Sequence, residues 1–271
     1  MENLSDETLE KILGRSIHKN LIRDALDLDF SKSKILITGA NGSIGQRLQH
    51  KLSHMNVDFV ATDVDTLDVT NTSTFMNDDF THVVNIAGAK HAPLGEQETE
   101  TTLDVNTKGT LNLLKFYPNA KHVLCSTCKS CNPETVYGAS KLIAERLIVN
   151  HGGSIARFYN VIETSGNVFE IWKNKKGAID VVTKCHRYFI TLDEATSLLM
   201  FSMKYHGRFM VNVPDIRNML DIANSIYPHR EKIHVEPRRG DRVNEKKFAD
   251  HEYVSNETLH PDLIKVCSPN D

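Results

Sequence analysis

The sequence predicts an α/β fold, a parallel sheet doubly wound by helices with a small mixed region at its C-terminal end. Three observations carry that expectation. Short apolar runs alternate with helix-spaced amphipathic stretches between residues 34 and 160, as strands buried on both faces require. The first run ends in a glycine-rich turn that opens a helical pattern. Beyond about residue 161 the alternation breaks up into helices mixed with short strands.

Before the first strand, Leu4, Leu9, Ile12, Leu13, Ile17, Leu21, Ile22 and Leu26 recur at helical spacing, with Ser5 and Asp6 as candidate caps. Residues 1–33 therefore read as a helical arm. Lys34–Thr38 is the first strand, 43–54 a helix, and 57–62 and 82–86 the second and third strands. A helix over 100–116 leads to a fourth strand at 121–125; another helix starts near Tyr137, and Ser154–Phe158 is a fifth strand. Right-handed crossovers make this series a Rossmann-type sheet over 34–160. The remaining 161–271, with helices expected at 192–204 and 215–226, would lie over the carboxyl edge of the sheet and supply substrate contacts.

A length of 271 residues, 40% hydrophobic and 25% charged, suits one large domain with its own core. A formal charge of −3 leaves no cationic excess for nucleic-acid phosphates or lipid headgroups. The basic group Arg238, Arg239, Arg242, Lys246 and Lys247 is local, of a size to grip one diphosphate. No apolar run reaches the roughly 18–20 residues of a membrane span, and the N-terminus lacks a signal-peptide pattern. Five cysteines do not make a secreted disulfide framework, so a reducing cytoplasm is expected.

Thr38-Gly39-Ala40-Asn41-Gly42-Ser43-Ile44-Gly45 fits T-G-x-x-G-x-x-G. The first glycine permits a tight turn, the second lets backbone approach a pyrophosphate, and the third packs helix against strand. The helix that follows offers free N–H groups and the positive end of its dipole. Between a clear strand and a clear helix this is a strong signal of dinucleotide binding. Asp63 closes the second strand, where an acid accepts hydrogen bonds from ribose hydroxyls and repels a 2′-phosphate. NAD is therefore expected ahead of NADP, with Asp68 and Val69 beside the adenine.

Tyr137 and Lys141 form Y-x-x-x-K and fall on one helix face. A neighbouring ammonium would lower the phenol pKa and ready it as a proton shuttle. The pair follows the fourth strand and its Ser126-Thr127 end, so a hydroxyl and the phenol can hold one oxygen together. Cys125, Cys128 and Cys131 make C-x-x-C-x-x-C, but no fourth thiolate follows closely, and no metal is expected. Cys128, between Thr127 and Lys129, is expected at the mouth of the site.

The strip Ser126-Thr127-Cys128-Lys129-Ser130-Cys131-Asn132-Pro133, followed by Tyr137-Gly138-Ala139-Ser140-Lys141, resembles S-T-D-K-A-x-N-P…(Y/M)-G-A-(S/T)-K. That is the signature of the UDP-N-acetylglucosamine 4,6-dehydratases of polysaccharide biosynthesis, extended short-chain dehydrogenases. Ile12-Leu13-Gly14-Arg15 resembles their L-L-G-R, and Ala89-Lys90-His91-Ala92-Pro93 resembles A-x-K-H-V-P. Arg157-Phe158-Tyr159-Asn160-Val161 resembles R-(Y/F)-G-N-V, and 187–195 resembles R-F-F-M-T-I-D-E-A. Arg238-Arg239-Gly240-Asp241-Arg242-Val243-Asn244-Glu245 resembles R-P-G-E-K-x-x-E.

The resemblance implies a three-step cycle on one bound sugar. Tyr137 takes the 4-hydroxyl proton while the cofactor takes the C4 hydride; Lys129, its pKa depressed by burial, removes the C5 proton; an acid helps the 6-hydroxyl leave and the hydride returns to C6. It implies cofactor contacts at Ala87, Gly88, Ala89, Lys90 and Asn106, and substrate contacts at Lys90, His91, Asn160, Arg187, Arg238, Arg242 and Glu245. It implies at least a dimer, paired through the helices at 100–116 and 137–150, and a nucleotide-sugar substrate, most readily a UDP-sugar. One departure matters: the family's acid is an aspartate where this chain has Cys128, and a thiol near pKa 8.5 is far weaker than a carboxyl near about 4. Oxidation at C4 needs only Tyr137, Lys141 and the cofactor, so a 4-epimerase or 4-keto reductase is the alternative. A non-catalytic dinucleotide-binding sensor is a third reading, one with no use for the strip.

Overall fold

The computed structural model describes residues 4–90, 92–238 and 241–269; His91 and Arg239 lie outside the described residues. Two helices, α1 (Asp6–Leu13) and α2 (Lys19–Leu26), precede β1 (Lys34–Thr38), α3 (Ser43–His54), β2 (Asp58–Thr62) and β3 (His82–Asn85). Then come α4 (Ala92–Gly95), α5 (Thr99–Leu103), a π-helical turn over Asp104–Lys108, α6 (Gly109–Phe116), β4 (Lys121–Thr127), α7 (Val136–Asn150) and β5 (Ser154–Phe158). The rest holds β6 (Asn160–Val161), α8 (Val168–Asn174), β7 (Ile179–Val181), β8 (His186–Arg187), β9 (Phe189–Ile190), α9 (Leu192–Lys204) and β10 (Arg208–Val211). It ends with β11 (Arg217–Asn218), α10 (Met219–Ile226), β12 (Lys232–His234), β13 (Tyr253–Val254) and β14 (Leu263–Cys267). Among the described residues no helix is long and apolar enough to cross a membrane.

One sheet runs β13-β14-β10-β5-β4-β3-β1-β2, parallel from β2 through β10. β14 is antiparallel to β10, and β13 antiparallel to β14. The central strand shows why the sheet is covered on both faces. Ile35 and Ile37 point into a core built with α2, α3 and α9, while Leu36 joins a second cluster with Leu113 of α6. All three are fully buried, and each such side chain contributes about 1.5–3 kcal/mol. The winding direction reverses between β1 and β3, and a crevice opens there beyond the carboxyl ends of the strands.

The structure departs from the expected boundaries in two places. Strands β10, β13 and β14 lie beyond residue 160 yet extend the main sheet, so the C-terminal part is woven into it. The N-terminal arm is two helices tied to different bodies. Leu9, Ile12 and Leu13 of α1 pack with Trp172 of α8 and Ile222 of α10, whereas Leu21 and Ala25 of α2 enter the main core. Arg15, between them, forms a bidentate pair with the fully buried Glu194 at 2.7 and 3.0 Å, and Glu194 also completes the capping box of α9 with Thr191. Apolar periodicity showed the helices, but which core each would enter depends on contacts distant in sequence.

Candidate active site

A cavity of about 550 Å³ opens at the carboxyl ends of β1, β3, β4 and β5. Gly39, Gly42, Ser43 and Ile44 form one wall, and Asp63, Asp68 and Val69 continue it past β2. Gly39 has φ +68°, and a Cβ there would lie 2.6 Å from the Ala87 nitrogen, so only glycine fits. Gly42 is different. Its φ is an ordinary −70°, and the one atom near a built Cβ is the Gly39 carbonyl at 3.5 Å, so the protein itself leaves the space before it open. Gly42 also caps α3 without any side-chain cap bond, which leaves first-turn N–H groups available to an anion. An open cradle on an uncapped helix is what a dinucleotide pyrophosphate requires, and the residues fit it.

Three expected contacts support the wall from behind rather than lining it. The Asn41 nitrogen donates to Asp63 Oδ2 at 2.9 Å, tying the glycine loop to β2. Gly45 packs α3 on the loop, since a Cβ there would lie 2.7 Å from Ala40. Asn106, 1% exposed within the π-helical turn, accepts from the Ala89 nitrogen at 3.0 Å and donates to its carbonyl at 3.1 Å. It thereby shapes the segment Ala87, Gly88, Ala89 and Lys90, which lines the cavity.

The opposite wall holds Thr127, Lys129, Tyr137 and Lys141, so one cavity gathers the strip the sequence singled out. Thr135 caps α7 by accepting from the Gly138 nitrogen at 3.1 Å, and this presents Tyr137 in the first turn with Lys141 one turn on. Contrary to the expected lowering, burial pushes the Tyr137 phenol up to about 12; the cation acting to lower it is Lys129 rather than Lys141, and burial outweighs it. Lys141 is 4% exposed and donates to the Cys125 carbonyl at 3.0 Å; burial lowers its pKa.

Two further expectations for this wall are corrected. Lys129 is not depressed. Burial does act to lower it, but the carboxylate of Glu245 outweighs that effect, and the pKa is raised. Its Nζ donates to Glu245 Oε1 at 2.9 Å and to Asn160 Oδ1 at 3.2 Å, so the resting group is a clamped ammonium. Cys128 is not at the mouth. It is 1% exposed, packed in the main core, and burial pushes its thiol up to about 12.

The expected substrate residues divide. Asn160, Arg187 and Glu245 converge on Lys129 without lining the cavity: Asn160 Nδ2 donates to Glu245 Oε2 at 2.7 Å, and Arg187 Nε lies 3.6 Å from Oε1. Among the described residues of the basic group, Arg238, Arg242, Lys246 and Lys247 do not converge on one another to grip a diphosphate. Arg238 is exposed against Asp241, Arg242 is held by Glu134 and the Asn132 carbonyl, Lys246 by Asp250, and Lys247 by the Val213 and Pro214 carbonyls. Each of these four cations has a nearer partner of its own.

The sequence reading missed a buried charge cluster beneath the strip. Arg157, fully buried, donates to Glu145 at 2.6 Å and to Glu252 at 2.8 Å, and Arg208 reaches Glu145 at 3.1 Å. Ser126 and Ser130 also donate to Glu145, at 2.5 and 2.8 Å. Burial acts to raise the Glu145 carboxyl, but the two guanidiniums bring it down to about 2. Two signals were available: Glu145 continues the Tyr137–Lys141 helix face, and Arg157 interrupts an apolar strand. Arg157 also bonds the Cys131 sulfur at 3.2 Å. Among the described residues no three His, Cys, Asp or Glu side chains come together as a metal site.

A glycine-loop crevice at the switch point, facing a Thr-Tyr-Lys strip, defines an extended short-chain dehydrogenase/reductase. Residues 53–267 match the family described as polysaccharide biosynthesis protein, and the chain belongs to it. It is 27% identical to the capsular polysaccharide biosynthesis protein CapD of Staphylococcus aureus, over 97% of this chain but about half, 52%, of that protein's length. It is 26% identical to the UDP-N-acetylglucosamine 4,6-dehydratase (inverting) of Campylobacter jejuni, over 89% of this chain and 87% of that one. Among solved structures it is similar in fold to Pen from Bacillus thuringiensis, with TM-score 0.75 and 20% identity over 89% of each chain. It is also similar to the UDP-glucose 4-epimerase of Thermus thermophilus, with TM-score 0.68 and 20% identity over 78% of this chain and 89% of that one.

Proposed function

We propose that this chain is a nicotinamide-dinucleotide-dependent enzyme that oxidises C4 of a UDP-N-acetylhexosamine and then eliminates water across C5 and C6. The observation that carries the reading is the convergence of the glycine loop and the Thr127–Tyr137–Lys141 strip on one cavity of about 550 Å³. The named activity of the Campylobacter jejuni relative supports the substrate and the dehydration step.

The dinucleotide supplies a hydride acceptor when bound. Gly39, Gly42, Ser43 and Ile44 would hold its pyrophosphate, Asp63 its ribose hydroxyls and Asp68 with Val69 its adenine side, with Lys90 and Lys141 nearer the reacting end. The Asp63 carboxylate would repel a 2′-phosphate, which favours NAD over NADP. Tyr137 receives the C4 hydroxyl proton, and Thr127 holds its oxygen. For dehydration, Lys129 without its extra proton would take the C5 proton, an acid would protonate the departing 6-hydroxyl so that it leaves as water, and return of the hydride to C6 would close the cycle with no net oxidation. The reading includes the cytoplasm as compartment and pairing of subunits through α5, α6 and α7, where Leu103, Phe116 and Ile143 are exposed.

A second reading is favoured by the clamped Lys129 and the buried Cys128: oxidation at C4 without dehydration, as in a 4-epimerase or 4-keto reductase. Incubation with UDP-N-acetylglucosamine and NAD, followed by mass spectrometry and NMR of the sugar, separates the readings. Loss of one water supports the dehydratase. Unchanged mass with an inverted C4 supports the epimerase, and no turnover with dinucleotide still bound points to a sensor or to another sugar, a 4-keto sugar in the case of a reductase.

A further inference from the structure

Lys129 lies on the cavity wall with 28% of its side chain accessible, whereas the side chain of Glu245, which holds it, is 1% accessible and does not line the cavity. The Lys129 Nζ has two partners among the described residues, and both are acceptors: Glu245 Oε1 at 2.9 Å and Asn160 Oδ1 at 3.2 Å. The orientation of the Asn160 amide is fixed. Its Nδ2 donates to the Tyr188 carbonyl at 2.9 Å and to Glu245 Oε2 at 2.7 Å, and neither a carbonyl nor a carboxylate has a hydrogen to give. Lys129, Asn160 and Glu245 thus close a ring of hydrogen bonds. The Tyr188 N–H, 3.3 Å from Oε2, and Arg187 Nε, 3.6 Å from Oε1, hold Glu245 in it.

A lysine ammonium carries three N–H donors on a freely turning bond. The ring engages two of them. Because neither Asn160 nor Glu245 lines the cavity and Lys129 does, the third position is the one on the open side, where the ammonium also acts on the Tyr137 phenol. A neutral amine has only two N–H bonds. The same two acceptors engage both, so its lone pair takes the position on the cavity side.

We propose that Glu245 and Asn160 are positioning residues: they engage two positions of the Lys129 nitrogen and aim the third into the cavity, so that the neutral amine presents its lone pair to the C5–H of the bound sugar. The proposal rests on the dehydratase reading and gives a different task to two residues that the resemblance placed on the substrate. Glu245 also governs when the amine is free to act. Burial acts to lower the Lys129 pKa, but the Glu245 carboxylate raises it above the ordinary value. The other titratable groups acting on Lys129, Cys128 and Tyr137, are a thiol and a phenol each pushed up to about 12 by burial.

Two measurements test it. The first needs no substrate: acetic anhydride acylates neutral amines, and mass spectrometry of the Lys129 peptide follows the labelling from about pH 7 to about pH 11. Lys129 should stay unlabelled through this range in the parent and react within it in Glu245→Gln. The second is turnover of UDP-N-acetylglucosamine by Asn160→Ala, which removes one acceptor and keeps the carboxylate. Its kcat for water release should fall about tenfold with KM unchanged, as loss of orientation without loss of a substrate contact requires. If Glu245→Gln does not fold, the Asn160→Ala kinetics decide alone.

Labelling of Glu245→Gln that matches the parent overturns the inference. A raised KM with kcat unchanged in Asn160→Ala overturns it as well, and returns Asn160 to the substrate. A parent chain that releases no water from the sugar overturns the dehydratase reading and the lone-pair step with it, while the labelling still decides whether Glu245 holds the ammonium.

Discussion

Single side chains set the chemistry of the strip through their neighbours. Lys129 and Lys141 line the same cavity, yet the Glu245 carboxylate raises one while burial lowers the other. The lysine assigned by resemblance as the C5 base is thus the one held as an ammonium. Cys128 is the second lever. Replacing it with aspartate brings a carboxyl beside Lys129, and Cys128→Asp should increase the yield of dehydrated sugar over the parent. The same change puts a charge where the side chain is 1% exposed, so the melting temperature should fall. Quantifying both on one preparation checks this; dehydration unchanged in a folded variant would mean that the missing acid is not what limits the step.

At the scale of elements, the turn between β1 and α3 separates two kinds of glycine. Gly39→Ala meets Ala87 backbone at 2.6 Å in a left-handed conformation, so it should destabilise the fold and abolish NADH binding together. Gly42→Ala places its methyl in open space, so the melting temperature should hold while NADH affinity drops at least tenfold, as about 1.4 kcal/mol per decade implies. Thermal melts and NADH fluorescence on the two variants separate these outcomes. The meeting of β4, β5, α7 and β10 has its own signature, the Glu145–Arg157–Arg208–Glu252 cluster. The Glu145 pKa falls from 4.5 to about 2 on folding, so its contribution is present above about pH 4.5 and is lost as pH drops toward 2. Urea unfolding between pH 3 and 6 should show stability falling with pH in the parent. Glu145→Gln should flatten that slope and lower stability at neutral pH, because it leaves two guanidiniums short of a buried counter-charge.

For the whole molecule, the C-terminal segment is a structural part of the sheet and the site. β14 pairs with β10, Glu252 balances Arg157, and Glu245 clamps Lys129. A chain cut after residue 160 therefore lacks β10 and β14 and leaves Arg157 with only Glu145 as counter-charge. Such a fragment should fail to fold cooperatively, which circular dichroism and limited proteolysis would reveal; a protease-resistant fragment binding NADH would refute it.

Local pattern was enough for much of this protein. Each strand from β1 to β5, the helix α3, the glycine turn and the Tyr137–Lys141 face could be read because each depends on residues within about one turn or one strand of each other. Tertiary structure alone decided which neighbour each charge would find. Lys129 meets Glu245 across 116 positions, Arg157 meets Glu252 across 95, and Arg15 meets Glu194 across 179. No periodicity encodes such pairs. They form because a charge taken out of water must find a partner, and the folded sheet determines which partners lie within reach.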